Sequence, residues 1–143
     1  MVEFMGRRIA WMVAGVALGL ARAQAPASVR DGIYSIDQAR RGESLYRQEC
    51  ASCHGEKLEG RGQAPPLTGD EFVMDWNGMT VGDLFQKMQT SMPADRPGHL
   101  SPEQNAMLLA YILTSNKYPS GSGDLPADAD RLRLIRFEAA LGK

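Results

Sequence analysis

Apolar positions recur at helical spacing in three stretches of the chain, and in a fourth they form an unbroken block. The block comes first. Thirteen residues from Ile9 to Ala21 follow Arg7 and Arg8, and Ala21-Arg22-Ala23 supplies the small-x-small pattern that signal peptidase reads. This predicts an exported, periplasmic chain with residues 1–23 removed as a signal peptide. The block is shorter than the roughly 20 residues that span a bilayer, so no membrane span is expected in the mature chain. Retention as an anchor is the alternative. No cysteine follows the block, which excludes a lipoprotein anchor.

Residues 24–32 (QAPASVRDG) have no periodicity and read as a flexible N-terminal segment. Ser35 and Gln38 then have the spacing of a capping box, with Asp37 in the first turn, and a helix is predicted to about Ala51. Gly42 and Tyr46 share one of its faces. A glycine inside a helix costs about 1 kcal/mol against alanine, which close approach of another backbone can offset, so a second helix is expected to cross there. Residues 55–71 contain four glycines and two prolines and read as a long loop. Long loops in small domains are commonly functional or packed around something.

Val81, Leu84, Phe85 and Met88 restore the helical stripe after Thr80, which can cap it with Asp83 three residues on. The segment SMPADRPGHL breaks that helix. Ser101, Pro102 and Gln104 open the last confident helix, where Met107, Leu108, Tyr111 and Ile112 form a stripe and Leu109, Ala110 and Leu113 widen it. This helix should be central, and Asn116 and Pro119 end it. Residues 117–143 form a C-terminal extension. Leu125, Leu132, Leu134, Ile135 and Phe137 make it too apolar for a solvated tail, so a packed belt or short helix is expected. The domain proper is residues 33–116.

Charge narrows the function classes. Without residues 1–23, which hold Arg7, Arg8, Arg22 and Glu3, the 16 basic and 17 acidic residues become 13 and 16, a net charge of about -3. Such a chain is no nucleic-acid binder, because nothing in it competes for phosphates by counterion release.

The chemistry is concentrated in QECASCHGEK, residues 48–57, which holds both cysteines and one of the two histidines. A disulfide between Cys50 and Cys53 would close too small a loop to restrict the unfolded chain much. A thioredoxin-like dithiol belongs at a helix start after a strand, whereas this pair ends a helix. Zinc needs about four ligands, and only His99 remains as a conventional nitrogen donor. Cys-x-x-Cys-His is the attachment pattern of c-type haem: both thiols bond one macrocycle and His54 lies beneath the iron. Export agrees with this, and no thiol is left over. Met92, in an irregular segment before Pro93, is the candidate sixth ligand. Met88 and Met107 belong to helix stripes, Met74 and Met79 flank Trp76, and His99 follows a Pro-Gly turn that should face solvent.

With these residues in place, the chain resembles a class I monohaem cytochrome c over residues 33–116, through RRGESLYRQECASCHG, APPLTG, WNGMTVGDLF, MPADRPGHLS and AYIL. Within that class it is most similar to small periplasmic cytochromes linked to quinoprotein dehydrogenases. The resemblance implies an all-α cytochrome c fold of three to four helices around one covalent haem c. It places Gly42 and Tyr46 against Leu108 and Tyr111. It gives the Pro65 carbonyl to the second ring nitrogen of His54, sets Leu67 on the haem edge, and puts the Trp76 indole within reach of a propionate.

The expected role is electron transfer, without catalysis, between a periplasmic dehydrogenase and a terminal oxidase or another cytochrome, through transient contacts. Two alternatives remain. One is a haem subunit permanently bound in an oxidoreductase complex. The other is a peroxidase or gas sensor with a labile Met92.

Overall fold

Local capping sets where the long helices begin. In the computed structural model, which describes residues 27–139, helix α1 spans Ile36–Glu49, and the Ser35 side chain accepts from the Gln38 amide at 3.0 Å. The expected signal segment lies outside the described residues. Cys50 ends α1, and a single turn, α2 (Ala51–His54), follows at once. Helix α3 spans Asp70–Trp76. Thr80 and Asp83 form a full capping box for α4 (Val81–Ser91), and Ser101 and Gln104 another for α5 (Pro102–Ser115). A last turn, α6, covers Ala129–Leu132.

The long helices α1, α4 and α5 are those that the apolar spacing predicts. Three short helices join them, together with a parallel pair of two-residue strands, β1 (Ala27–Ser28) and β2 (Ile135–Arg136), in the register Ala27 to Ile135. Helix α3 falls partly inside the stretch read as a loop. Its seven residues follow Gly69 and bury only Phe72, too short a run for a periodicity to show.

The crossing of α1 and α5 is the centre of the domain. Gly42 lies directly on the Met107 carbonyl and the Tyr111 side chain, while the Tyr46 and Tyr111 rings sit 5.3 Å apart. Leu108, also expected there, is buried. A second close approach occurs at Gly82, where α4 meets Ala129 of α6 and Arg133, which caps it. Absence of a Cβ lets both backbones come nearer than any other residue would allow.

The N-terminal stretch departs from the sequence reading, while the C-terminal extension follows it except at Leu134. Residues 27–32 do not behave as a flexible entry: Val29 is fully buried, and its amide donates to Arg136 O at 3.0 Å. Residues 117–139 form a belt. Tyr118, Leu125, Leu132, Ile135 and Phe137 are buried, whereas Leu134 is exposed. Phe137 meets Phe72 and Tyr118 edge-on, at 6.0 and 5.5 Å.

Gln38 does not complete the capping box of α1. Its amide nitrogen donates to Leu125 O at 2.9 Å and its oxygen accepts from Leu125 N at 2.7 Å, so it fastens the belt to the first helix. Gln38→Ala would strand both of these buried backbone groups. Unpaired buried groups cost about 1–3 kcal/mol each. We expect a loss of about 2 kcal/mol or more, read as a fall of about 10 °C in the thermal midpoint of the purified protein.

Candidate functional site

A cavity of about 760 Å³ opens between the end of α1, the loop after α2 and the helices α3, α4 and α5. Its wall contains Cys50, Cys53 and His54 from one stretch, Pro65 and Leu67 from the loop, Trp76 from α3, Met88 and Met92 from α4 and its cap, and Leu108 and Ile112 from α5. The expected site residues, scattered over more than forty positions of sequence, therefore share one enclosure. Its size lies within the roughly 300–1,000 Å³ typical of small-molecule and cofactor sites.

The loop that a sequence rich in glycine and proline requires is held by backbone bonds. Leu67 N donates to Leu58 O at 2.8 Å, and Gly60 N to His54 O at 2.7 Å. Asn116, just past α5, donates to Leu67 O at 2.9 Å and ties this loop to the last helix. Gly60 has φ +78°, and a Cβ there would press on Ala64, Pro65 and Pro66. The turn that sets Pro65 thus needs a glycine.

His54 is buried, and its Nδ1 lies 2.8 Å from the Pro65 carbonyl. A carbonyl can only accept, so Nδ1 carries a proton, and in the neutral ring the lone pair is then on Nε2. That is the tautomer in which the ring is a neutral nitrogen donor, with its orientation fixed by the carbonyl. Tyr46 OH donates to Gly55 O at 2.7 Å and secures the turn just after the histidine. Burial raises the Tyr46 pKa well above the usual phenol range, so this donor stays protonated.

Cys50 and Cys53 are both free thiols. Cys50 is half-buried and Cys53 exposed. Burial, followed by the neighbouring charges of Glu49 and Cys53, pushes the Cys50 thiol up to about 12, so it stays protonated at neutral pH. Neither thiol is therefore committed to a disulfide, and both remain available at the cavity.

Two methionines reach the wall. Met92, expected as a ligand, caps α4 in an extended conformation, while Met88 is a buried residue on the helix. Sequence spacing assigned Met88 to the core alone; its position one helical turn before Met92 is the signal that also brings it to the cavity. Met74, Met79 and Met107 do not line it, nor does His99, which is exposed. Trp76 is half-buried beside Phe72, at 6.4 Å.

Asn105 was not singled out from the sequence. It is buried in the wall, its Nδ2 donates to the Leu100 and Ser101 carbonyls, and its Oδ1 is the buried side-chain polar atom left without a partner among the described residues. Such an orphan is rare in a finished interior. Two free thiols, an imidazole oriented by a backbone carbonyl, a thioether and a mostly apolar lining fit a covalently held haem. Among the described residues no group of three His, Cys, Asp or Glu side chains gathers to hold a bare metal ion.

Comparison with known proteins agrees with this chemistry. Residues 37–112, more than half of the chain, match the family of cytochrome C oxidase, cbb3-type, subunit III. The cytochrome c subunit of the cytochrome bc1 complex of Corynebacterium diphtheriae is 33% identical over 100 residues, covering 68% of this chain and 34% of that protein. The cbb3-type cytochrome c oxidase subunit CcoP of Azospirillum brasilense is 29% identical over 92 residues, 53% of this chain and 30% of that protein. The chain thus spans about a third of the length of the curated relatives it matches. Among solved structures, the sulfane dehydrogenase SoxCD of Paracoccus pantotrophus has a TM-score of 0.49 at 23% identity, over 84% of this chain and 68% of that one. The chain belongs to the cbb3-type subunit III family of cytochrome c domains, and its all-α fold is that of a class I c-type cytochrome.

Proposed function

We propose that this protein is an exported one-electron carrier, with one haem c held by thioether bonds to Cys50 and Cys53 and ligated by His54 and Met92. The observation that carries the reading is the environment of His54: a buried imidazole with Nδ1 tied to Pro65 O at 2.8 Å, beside two free cysteines, in a cavity whose wall includes Met92. When bound, haem c supplies a ferrous/ferric couple.

The chain's own residues tune and deliver that couple. His54 offers a fixed neutral nitrogen, and a methionine sulfur opposite a histidine favours the ferrous form relative to a second imidazole or a thiolate. With both His54 and Met92 holding the iron, the site would favour electron transfer over peroxide or oxygen chemistry. Leu67, Leu108 and Ile112 exclude water from the interior. Trp76 packs there, with an indole N–H suited to a propionate because a buried indole seeks a partner.

Cys53 is exposed at the mouth, so partners approach on that side. The charged residues of the wall, Glu49, Asp75 and Asp95 against Arg61, Lys87 and Arg96, alternate in sign. No single-signed field steers docking, and small wet contacts of the transient kind fit such a surface. The donor in this reading is a periplasmic dehydrogenase, of the quinoprotein kind that the resemblance implies, and the acceptor an oxidase or another cytochrome.

A pyridine haemochrome spectrum of the exported protein tests the covalent haem directly. A c-type spectrum that survives acid-acetone extraction is expected; haem that extracts would overturn the reading. Cys50→Ala and Cys53→Ala should each impair attachment, seen as loss of haem staining in a denaturing gel.

A second reading has an observation of its own. One curated relative is the cytochrome c subunit of a cytochrome bc1 complex and the other a subunit of a cbb3-type cytochrome c oxidase, and in this reading the domain is a permanently bound subunit of such an assembly. Gel filtration of a native extract separates the two, since a free carrier elutes as a small protein.

A further inference from the structure

Helix α4 ends at Met92, and residues 92–100 then run without a helix to the start of α5. Ala94 to His99 are all exposed. Met92 N donates to Met88 O at 3.0 Å as the cap of α4, and the remaining backbone bonds made here are internal: Arg96 N donates to Pro93 O and His99 N to Arg96 O. Asn105 holds the far end through Leu100 O. Among the described residues, the one other hydrogen bond tying this segment to a different element is Arg96 Nη2 to Glu49 Oε2, at 2.9 Å.

Glu49 is the last residue of α1, immediately before Cys50. A carboxylate is disfavoured there, because the C-terminal end of a helix carries partial negative charge. Its side chain is only 18% exposed, so its charge is incompletely solvated. A guanidinium relieves both problems. Arg96 is itself 49% exposed and also meets Asp95, at 3.5 Å, which lies on the same segment and therefore orients the guanidinium without anchoring it to α1. Glu49 and Arg96 both line the cavity, so their pair joins two parts of its wall, from the residue preceding Cys50 to the segment that begins with Met92.

We propose that Arg96 is a positioning residue, which latches the 92–100 segment to the end of α1 through Glu49 and thereby keeps Met92 at the iron. The inference rests on Met92 being the second axial ligand. Release of the latch frees the segment between Met92 and Leu100, and an external ligand then competes with the sulfur.

The test is the rate of cyanide binding to the ferric holoprotein, in which the probe must displace the methionine. An ion pair whose guanidinium is half exposed contributes modestly, so Arg96→Ala and Glu49→Gln should each speed binding by about threefold, and the double variant by no more than either alone. Added salt should speed the wild type toward the Arg96→Ala rate and leave that variant unchanged. Unchanged rates in both single variants, additive effects in the double, or equal salt dependence in wild type and Arg96→Ala would each overturn the latch. The long-wavelength absorption band of ferric iron–methionine ligation keeps the two ideas apart. Its presence in wild type and loss in Met92→Ala, with unaltered cyanide rates, sinks the latch alone; its absence from wild type sinks the ligand assignment beneath it.

Discussion

Gly42→Ala is expected to destabilise the domain by about 3 kcal/mol or more, enough to lower its thermal midpoint by about 15 °C. An alanine Cβ at this position would lie 1.9 Å from Met107 O, 2.6 Å from Met107 C and 3.0 Å from Tyr111 Cβ. The first two atoms are backbone, so no rotamer change relieves the clash, and α1 must move away from α5. That separation also loosens the Tyr46–Tyr111 contact and the Leu108 wall of the cavity. The sign makes the experiment decisive. In an open helix, glycine to alanine stabilises by about 1 kcal/mol, so a thermal melt in which the variant equals or exceeds wild type would show that the two helices do not cross this closely. A small domain has a net stability of only about 5–15 kcal/mol to lose.

Met92→Ala should leave the haem attached while removing the long-wavelength band and lowering the midpoint potential by about 0.1 V or more, within the roughly 0.8 V that axial ligation spans. In the proposed site, loss of the sulfur would remove the ligand that favours the ferrous form. Met88→Ala is the necessary companion, because it removes the other sulfur in the cavity wall. Met88 is buried on α4, so its truncation should cost about 2–5 kcal/mol of stability and keep the band. An unchanged potential in Met92→Ala, or loss of the band in Met88→Ala, would move the ligand assignment from one turn of α4 to the other.

The positions that were readable from sequence have local causes. Ser35, Thr80 and Ser101 are caps, and a cap is decided by a hydroxyl and the amide three residues on. Gly42 was readable as a crossing because a glycine in a good helix is costly unless a neighbour needs the space. What escaped was non-local. Gln38 sits where a capping box would use it, but the belt supplies Leu125, 87 residues away, and two buried backbone bonds outweigh one at a helix end. Residues 27–32 look flexible until Ile135 and Arg136 pair with Ala27 and Ser28.

The same division runs through the site. Cys50, Cys53 and His54 are written side by side, and their adjacency is what matches the c-type haem attachment pattern on which the proposed function rests. QECASCHGEK could not say how the imidazole is aimed, which methionines line the cavity, or what the segment after Met92 meets on α1. Those depend on the Pro65 carbonyl, on the last turn of α4 and on an ion pair between Glu49 and Arg96, 47 residues apart. Each is a contact between segments that share no local propensity. Burial of the α1–α5 crossing and closure of the belt bring them together, and only a folded chain can make that choice.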